Sequence, residues 1–274
     1  KKVQAVDARV SESREVSLSC ASTRGDRCAQ DSPVLDLGEA ALREGRHHLT
    51  LLEYGEPSFA LRLHLIRAAR DAIDVQNFIL RKDDSGELFL NELLDAARRG
   101  VKVRLLLDQM FSLSEARYLV QLTMAHGNLE IRFYNPSFYK AEMAKHDWIS
   151  AVACCFRRFN QRMHNKLMVV DDRVGILGGR NIADEYFGVR TRGNYRDLDV
   201  GCTGPIVGDI SDSFDLFWNG EWALPMGALL ERPMTADELG EVTAELIGLH
   251  DSVEYPYPID ADRAARGQKL YAEY

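Results

Sequence analysis

The chain alternates between helical and strand-like apolar patterns from residue 58 to residue 134, and this alternation limits its fold more than any other feature. Apolar residues at helical spacing predict amphipathic helices over 58–69, 87–99 and 114–125. Each helix precedes a short apolar run typical of a buried strand, at 73–80, 101–108 and 129–134. Such units predict an α/β fold: a largely parallel mixed sheet flanked by helices on both faces.

The length and composition of the chain fit one folded domain with extensions. Its 274 residues, 46% of them hydrophobic, are enough to bury a large core. Residues 1–37 are polar with little periodicity, so we predict an irregular N-terminal arm there. The folded domain is predicted over 38–222. Residues 223–274 are more acidic and contain four prolines, which favours a helical, proline-containing linker.

The charge balance excludes some classes of protein. A formal charge of −8 argues against a general nucleic-acid binder, whose affinity rests on a basic surface, so nucleic acid is not an expected partner. Because no apolar run reaches about 18 residues, we predict no membrane-spanning helix. No secretory leader is visible, although a leader or an anchor before Lys1 stays open.

The five cysteines do not form a disulfide scaffold. Cys20 and Cys28 flank a polar loop and could either form a bridge in an oxidising compartment or remain free thiols. Cys154 and Cys155 lie in an apolar stretch, which favours core packing over redox chemistry. We interpret Cys202 as a buried packing residue.

Residues 164–171 carry the first part of the candidate chemistry, in the sequence His-Asn-Lys-Leu-Met-Val-Val-Asp. The apolar run predicts a short buried strand. Because residues two apart share a face of a strand, His164 and Lys166 should point the same way, about 6–7 Å apart. Asp171 supplies turn chemistry before a returning strand over 174–177.

The second part is the sequence Gly178-Gly179-Arg180-Asn181. The glycine pair ends the returning strand where a phosphate could approach bare backbone. Asn181 offers an amide donor beside it.

Together these residues read His-x-Lys-x4-Asp-x6-Gly-Gly-x-Asn, which resembles the HKD signature of the phospholipase D superfamily. The lead-in at 160–163 and the follow-on at 182–188 resemble the bacterial cardiolipin synthase branch in particular. The match extends through most of 53–222. The resemblance implies that 38–222 is a phospholipase D-like catalytic domain with one HKD motif.

The resemblance also implies a role for each signature residue. His164 attacks phosphorus and forms a phosphohistidine, because neutral imidazole is available near pH 7. Lys166 binds the non-bridging oxygens as a point charge, and Asn181 adds a neutral donor. A carboxylate on a downstream strand holds the other ring nitrogen of the histidine. We choose Asp197 for this role, with Asp199 on the same strand face as the alternative.

Three further motif positions are interpreted as structural, and no metal or cofactor is expected. Asp171 should bond backbone N–H groups of its own turn. Gly178 and Gly179 belong to the motif without themselves reacting. No clustered Asp, Glu and His spacing points to a metal site, which fits chemistry in which Lys and Asn replace a cation.

The superfamily mechanism implies two histidines, one as nucleophile and one as general acid, whereas this chain carries one signature. Either two copies pair about a two-fold axis, or a second HKD half beyond residue 274 supplies the partner. The position of the motif and the proline-containing tail favour the second explanation. The chain thus resembles the N-terminal half of a two-motif cardiolipin synthase-like enzyme that stops near the linker.

The expected function is phospholipase D-type phosphatidyl transfer or hydrolysis on glycerophospholipids at a membrane surface. The expected location is the bacterial cell membrane, peripherally and on either side. One alternative is a homodimeric single-motif phosphodiesterase or nuclease. Another is a non-catalytic half that binds phosphate or a partner.

Residues 138–159 mix aromatic, methionine and basic residues and predict a helix before the signature. One interpretation is a helical insert packed on the sheet. The other is a lip beside the site, where apolar and cationic groups meet a lipid interface.

Overall fold

The computed structural model describes residues 29–110, 112, 116–141 and 143–229. Its helices are α1 Pro33–Glu44, α2 Gly55–Ala68, α3 Asp84–Arg98, α4 Ala116–Ala125, α5 Lys145–Phe159, α6 Asp184–Phe187 and α7 Ile206–Trp218. Its strands are β1 His48–Leu52, β2 Ala72–Asn77, β3 Lys102–Asp108, β4 Leu129–Tyr134, β5 Leu167–Val170, β6 Val174–Gly178, β7 Asp199–Thr203 and β8 Ala223–Pro225. Short 3-10 turns cover Ser137–Tyr139 and Met226–Leu229. Cys20 and Cys28 lie outside the described residues.

The eight strands form one sheet in the order β1-β7-β6-β5-β2-β3-β4-β8. Among these strands the β2–β3 and β3–β4 pairs are parallel, and the other five pairs are antiparallel. The predicted mixed α/β sheet with flanking helices is confirmed, but its parallel share is smaller than expected. The reason is local: β5 and β6 are joined by a three-residue turn, which is too short for a parallel crossover.

Helices cover both faces because side chains alternate along each strand. The larger apolar core lies on the face covered by α2, α3 and α4, and includes Phe59, Leu90, Leu119, Val75 and Leu105. The opposite face is covered by α7, whose Phe214 and Trp218 pack with Leu106 of β3. Val169 and Cys202 pack on the same face against Val207. The expected burial of Cys202 is confirmed, within β7 itself.

Two aspartates join the start of α3 to the start of α6. The Asp83 carboxylate caps α3 by accepting from the Gly86 N–H at 3.0 Å. Its other oxygen accepts from the Asp184 N–H at 2.9 Å, while Asp184 accepts from the Ser85 N–H at 2.9 Å. The segment that follows the signature is therefore fixed to α3.

Two segment boundaries differ from the sequence prediction. Residues 33–37, which we expected in an irregular arm, form the first turns of α1, because Ser32 caps the helix and Pro33 occupies its first position. Residues 223–229, expected in the linker, form β8 and a 3-10 turn. Here Leu224 pairs with Phe133 of β4. Most of both terminal segments lies outside the described residues.

The cysteine pair at 154–155 corrects another expectation. Cys154 and Cys155 form a disulfide with each other, and both are exposed on α5 rather than packed in the core. The backbone at Cys155 departs from helical geometry, so α5 is kinked there. None of the described helices combines the length and apolar character needed to cross a membrane.

Candidate active site

The site lies where β5 begins and β2 ends. These strands pair antiparallel, with Gln76 opposite Leu167, so the residues just before β5 run beside those just after β2. His164 and Lys166 lie on the first of these segments, and Phe78 and Ile79 on the second. The two strands carry little chemistry themselves, but their register sets the geometry of the site.

The Phe78-Ile79 segment brings the three signature side chains together. The Phe78 ring meets the His164 ring edge-on, with 4.5 Å between centroids. The Lys166 ammonium lies 5.2 Å from the centroid of the same Phe78 ring. On the other side, the Ile79 N–H donates to the Asn181 side-chain oxygen at 2.9 Å. The imidazole, the ammonium and the amide thus surround one short stretch of backbone.

Lys166 is a buried cation with spare donors. Its side chain is largely buried, and its ammonium donates to the His164 carbonyl oxygen at 2.8 Å. Burial lowers the pKa of Lys166, while the negative charges of Asp197 and Asp199 act in the opposite direction. An ammonium has three N–H donors, so two remain for an anionic ligand.

His164 is exposed to solvent, and its surroundings favour the neutral imidazole. Partial desolvation lowers the pKa of His164, the positive charge of Lys166 lowers it further, and Asp197 raises it. Since the unperturbed imidazole pKa is near 6.5, the neutral, nucleophilic form dominates at pH 7.

Both carboxylate oxygens of Asp199 accept hydrogen bonds within a buried network. We call this network the Asp199 cluster; it consists of Ser58, Arg62, Arg180 and Asp199. The Ser58 hydroxyl donates to its carboxylate at 2.7 Å, and the Arg62 and Arg180 guanidinium groups donate at 3.1 and 3.2 Å. Burial alone would raise the pKa of Asp199, but these donors outweigh it and lower the pKa. This carboxylate has no free capacity to orient a histidine.

Asp197 is different, because its carboxylate is only partly buried. One oxygen accepts from the Leu198 N–H at 2.8 Å. Its charge acts on both His164 and Lys166. An open cavity of about 480 Å³ lies beside it, lined by Glu53, Tyr54, Arg196, Asp197 and Leu198.

Arg180 is a site residue that the sequence analysis missed. Its guanidinium donates to the Leu52 and Glu53 carbonyl oxygens at 2.7 and 2.6 Å, and also to the Asp197 carbonyl oxygen. It therefore ties the end of β1 to the segment that carries Asp197. Its position as the variable residue of Gly-Gly-x-Asn could have indicated a role, but the sequence prediction used only the two glycines and the asparagine.

The glycine pair serves a purpose other than the one expected. The Gly178 N–H donates to the Lys166 carbonyl at 3.2 Å, and the Gly179 N–H donates to the Leu198 carbonyl at 3.0 Å. A Cβ added at Gly178 would overlap Asp199, and one at Gly179 would overlap the Asp197 carboxylate. The glycines make room for the neighbouring aspartates, and their N–H groups are not free for a phosphate.

Asp171 lies at the opposite end of β5 from His164. Its carboxylate accepts from the N–H groups of Arg70, Asp71 and Ala72 at 2.9, 2.8 and 2.9 Å. We expected bonds to its own turn, but the partners lie about a hundred residues away in sequence, at the start of β2. Asp171 therefore joins β5 to β2 and does not reach the site.

Hydrogen bonds and an ion pair connect the end of α5, and the residues that follow it, to the ends of β3 and β4. The Asn135 amide donates to the Arg158 and Gln161 carbonyl oxygens, both at 2.7 Å. Asp108 pairs with Arg162 at 3.3 Å and accepts from the Met163 N–H at 3.0 Å. The apolar side chains of Ile149, Val152 and Phe156, however, are exposed, so they do not pack on the sheet.

Within the described part of the chain, no three His, Cys, Asp or Glu side chains are grouped so that they could hold a metal ion.

Comparisons with known proteins identify the family of this chain. The family described as "Cardiolipin synthase, PLD-like domain" matches residues 63–214, more than half of the chain. An uncharacterised protein of Helicobacter pylori is 33% identical over 89% of this chain and 46% of its own length. Cardiolipin synthase C of Escherichia coli is 38% identical over 69% of this chain and 39% of its own length.

The chain spans less than half the length of these curated relatives. Among solved structures, phosphatidylserine synthase of Haemophilus influenzae is similar to it with a TM-score of 0.47 and 15% identity, over 80% of this chain and 48% of that one. The family match and the sequence relatives give the same assignment. The chain belongs to the phospholipase D superfamily, in the family of PLD-like domains of cardiolipin synthases.

Proposed function

We propose that this chain cleaves a phosphodiester of glycerophospholipids through a covalent phosphohistidine on His164, as one half of a cardiolipin synthase-like site. The observation that carries the proposal is the grouping of His164, Lys166 and Asn181 around Phe78-Ile79. An exposed neutral imidazole beside a buried ammonium is what attack on a phosphate anion requires.

In the first step, a ring nitrogen of His164 forms a bond to phosphorus while the bond from phosphorus to the headgroup oxygen breaks. Lys166 uses its two spare donors to bind the non-bridging oxygens and reduces the charge repulsion that slows attack. The Asn181 amide oxygen accepts from the Ile79 N–H, and its amide group also hydrogen-bonds the Tyr186 side chain. One amide N–H therefore remains for a phosphate oxygen.

In the second step, water or the hydroxyl of another phospholipid headgroup attacks phosphorus, and the bond from phosphorus to His164 breaks. Water gives phosphatidic acid. A lipid hydroxyl gives a diphosphatidyl product of the cardiolipin type. The leaving oxygen of the first step takes its proton from a general acid, which later removes the proton of the acceptor.

We assign the orienting carboxylate to Asp197. The engagement of Asp199 with Ser58, Arg62 and Arg180 supports this choice, as does the action of Asp197 on the pKa values of both His164 and Lys166. Arg180 holds the backbone of Asp197 and acts as a positioning residue.

The general acid is proposed to come from a second HKD half, either later in the same polypeptide or in a second copy of the chain. None of the six other histidines has a lysine two residues later, so this chain offers one signature only. The proposed setting is a bacterial membrane, to which the domain binds peripherally.

Trapping the phosphoenzyme tests the proposal directly. The chain, alone and mixed with a separately expressed second half, is incubated with phosphatidylglycerol labelled at phosphorus and quenched in base. We expect acid-labile, base-stable label on His164, and its loss in His164→Asn. His146→Asn is the matched control, because His146 is an exposed histidine on α5. Turnover of lipid by His164→Ala would overturn the assignment.

Light scattering and an oligonucleotide substrate separate the remaining options. A stable dimer that degrades oligonucleotide faster than lipid would replace the lipid proposal with a homodimeric nuclease. A chain that never acquires label with any second half would leave a non-catalytic, phosphate-binding role.

A further inference from the structure

The exposed side of α5 serves neither the apolar core nor the site among the described residues. Ile149, Val152 and Phe156 are 72%, 54% and 59% exposed. Ile149 and Val152 are three residues apart on one side of the helix, and Phe156 follows just past the kink at Cys155. No described residue of α5 belongs to the apolar core clusters.

The cations of this region are also unusual for an acidic chain. Residues 140–162 contain five Lys or Arg and two carboxylates, whereas the whole chain carries a formal charge of −8. Lys140 pairs with Asp147, and Arg162 pairs with Asp108. Within the described residues, Arg157 and Arg158 form no ion pair, which leaves their charges available.

These two arginines line an open groove of about 580 Å³. Its walls include Tyr139, Phe156 and Trp222, and the Arg158 guanidinium lies 5.7 and 5.9 Å from the Tyr139 and Trp222 ring centroids. One carboxylate, Glu221, also lines the groove and accepts from the Trp222 ring N–H at 3.0 Å. Two cations against one carboxylate give the groove a net positive charge.

We propose that the outer side of α5 docks on an anionic phospholipid surface, with Ile149, Val152 and Phe156 entering the acyl boundary. Arg157 and Arg158 then face headgroup phosphates in the groove. The combination of an unused apolar side with adjacent unpaired cations fits such a surface better than a neutral one. Only four residues separate α5 from His164, and Asp108 and Asn135 fix that link, so docking would set His164 at the headgroup level.

This inference deepens the proposed function and rests on it for the choice of lipid as occupant. Its test therefore measures binding without turnover. The full 274-residue chain carrying His164→Asn is co-sedimented with phosphatidylglycerol vesicles and with phosphatidylcholine vesicles, at low and high salt. We expect binding to the anionic vesicles that weakens as salt rises.

Two sets of variants separate the apolar and cationic parts. Ile149→Ser, Val152→Ser and Phe156→Ser together should weaken binding to phosphatidylglycerol by at least about tenfold, because burial of the three side chains is lost. Arg157→Gln with Arg158→Gln should weaken it by about fivefold for each arginine and reduce the salt dependence. Leu216→Ser is the matched control, since Leu216 is 78% exposed on α7 and should not affect binding.

Three results would overturn the docking surface. The first is no binding of the parent chain to phosphatidylglycerol vesicles. The second is unchanged binding by the triple variant. If circular dichroism shows that the triple variant is unfolded, unchanged binding by Ile149→Ser alone replaces it. The third is a fall in solution mass from dimer to monomer in the triple variant, which would make this side a contact between copies.

Failure of docking and failure of the proposed function give different results. A chain that binds vesicles through α5 but never forms a phosphohistidine would support the docking surface and contradict the proposed chemistry. A chain that cleaves detergent-dispersed lipid but does not bind vesicles would support the proposed chemistry and contradict the docking surface.

Discussion

The Asp199 cluster and helix α5 use their side chains in opposite ways, although both border the site. In the cluster, every charge is buried and paired: Asp199 is fully buried and accepts from Ser58, Arg62 and Arg180. On α5, apolar side chains and arginines face solvent without contributing to the core. The first region fixes the position of the 197–199 segment, whereas the second leaves its surface free for a ligand or partner.

This difference is expected from the physics of burial. A buried carboxylate must be paired, because an unpaired one would be strongly destabilising. An exposed apolar side chain costs little in folding, so α5 can keep its surface without weakening the domain. Substitutions in the two regions should therefore separate effects on stability from effects on binding.

The largest effect should follow from breaking the Asp199 cluster. Asp199→Ala leaves two buried guanidinium groups without their carboxylate, so we expect a loss of about 3 to 5 kcal/mol in the free energy of unfolding. Urea unfolding measures it. Val152→Ser on α5 is the control and should stay within about 0.5 kcal/mol of the parent. Equal losses in both variants would contradict the contrast between the two regions.

A smaller effect is expected where the glycine pair meets the aspartates. Gly179→Ala places a methyl group against the Asp197 carboxylate, so we expect a loss of about 1 to 3 kcal/mol with the label on His164 also reduced. A methyl group added at Gly208 in α7 would meet open space, so Gly208→Ala should instead stabilise by up to about 1 kcal/mol. Equal destabilisation by both substitutions would rule out the steric explanation.

The link between α3 and α6 should give stability a pH dependence. Burial raises the pKa of Asp83 to about 6; nearby carboxylates act in the same direction, and the bonds from the Asp184 and Gly86 N–H groups oppose it. A raised pKa means that the folded state holds the proton more tightly, so this contribution to stability is present below about pH 4 and is lost as pH rises through 6.

Because Asp83 is partly exposed, we expect this contribution to be about 1 to 2 kcal/mol after screening. Unfolding by urea between about pH 3.5 and 7 measures it, with Asp83→Ser as the comparison, since serine keeps a cap without ionising. The parent chain should lose more stability than Asp83→Ser across this range. Parallel pH curves would contradict the assignment.

The smallest effect concerns the charge balance at His164. Removing the positive charge in Lys166→Met should raise the pKa of His164, and removing the negative charge in Asp197→Asn should lower it. NMR titration of the ring protons, assigned with His164→Asn, measures both shifts. Since neutral imidazole is the nucleophile, the acid limb of phosphohistidine formation should move in the same direction as the pKa. Shifts of the same sign in both variants would exclude the proposed electrostatics.

The sequence was sufficient to predict features that depend on neighbouring residues. The two-residue spacing predicted that His164 and Lys166 share one face of a strand. Both contact Phe78, but β5 begins only at Leu167, so neither residue lies within the strand. The helix and strand patterns predicted a mixed α/β sheet.

The proposed role of Asp197 rather than Asp199 draws its support from the bonds of Asp199 to Ser58 and Arg62. These residues are far from Asp199 in sequence, so the contacts could not be predicted.

The same limit explains the other differences. Asp171 bonds backbone groups about a hundred residues earlier, and Arg180 reaches carbonyl oxygens at the end of β1. Neither partner can be inferred from spacing, since each is created by strand pairing. The parallel share of the sheet was overestimated for a related reason: the α/β pattern of the first half does not continue after β4.

Asp171 accepts hydrogen bonds from the start of β2, and this junction fixes one end of both β2 and β5. The number of residues in each strand therefore decides which residues reach the site. Counting from this junction, six residues of β2 lead to Phe78 and the four residues of β5 lead back to the His164–Lys166 segment. Inserting or deleting one residue in either strand would turn Phe78 or Lys166 to the other face of the sheet. The domain should therefore accept insertions in its loops and in its terminal segments far more readily than a single residue added between Ala72 and Asn77.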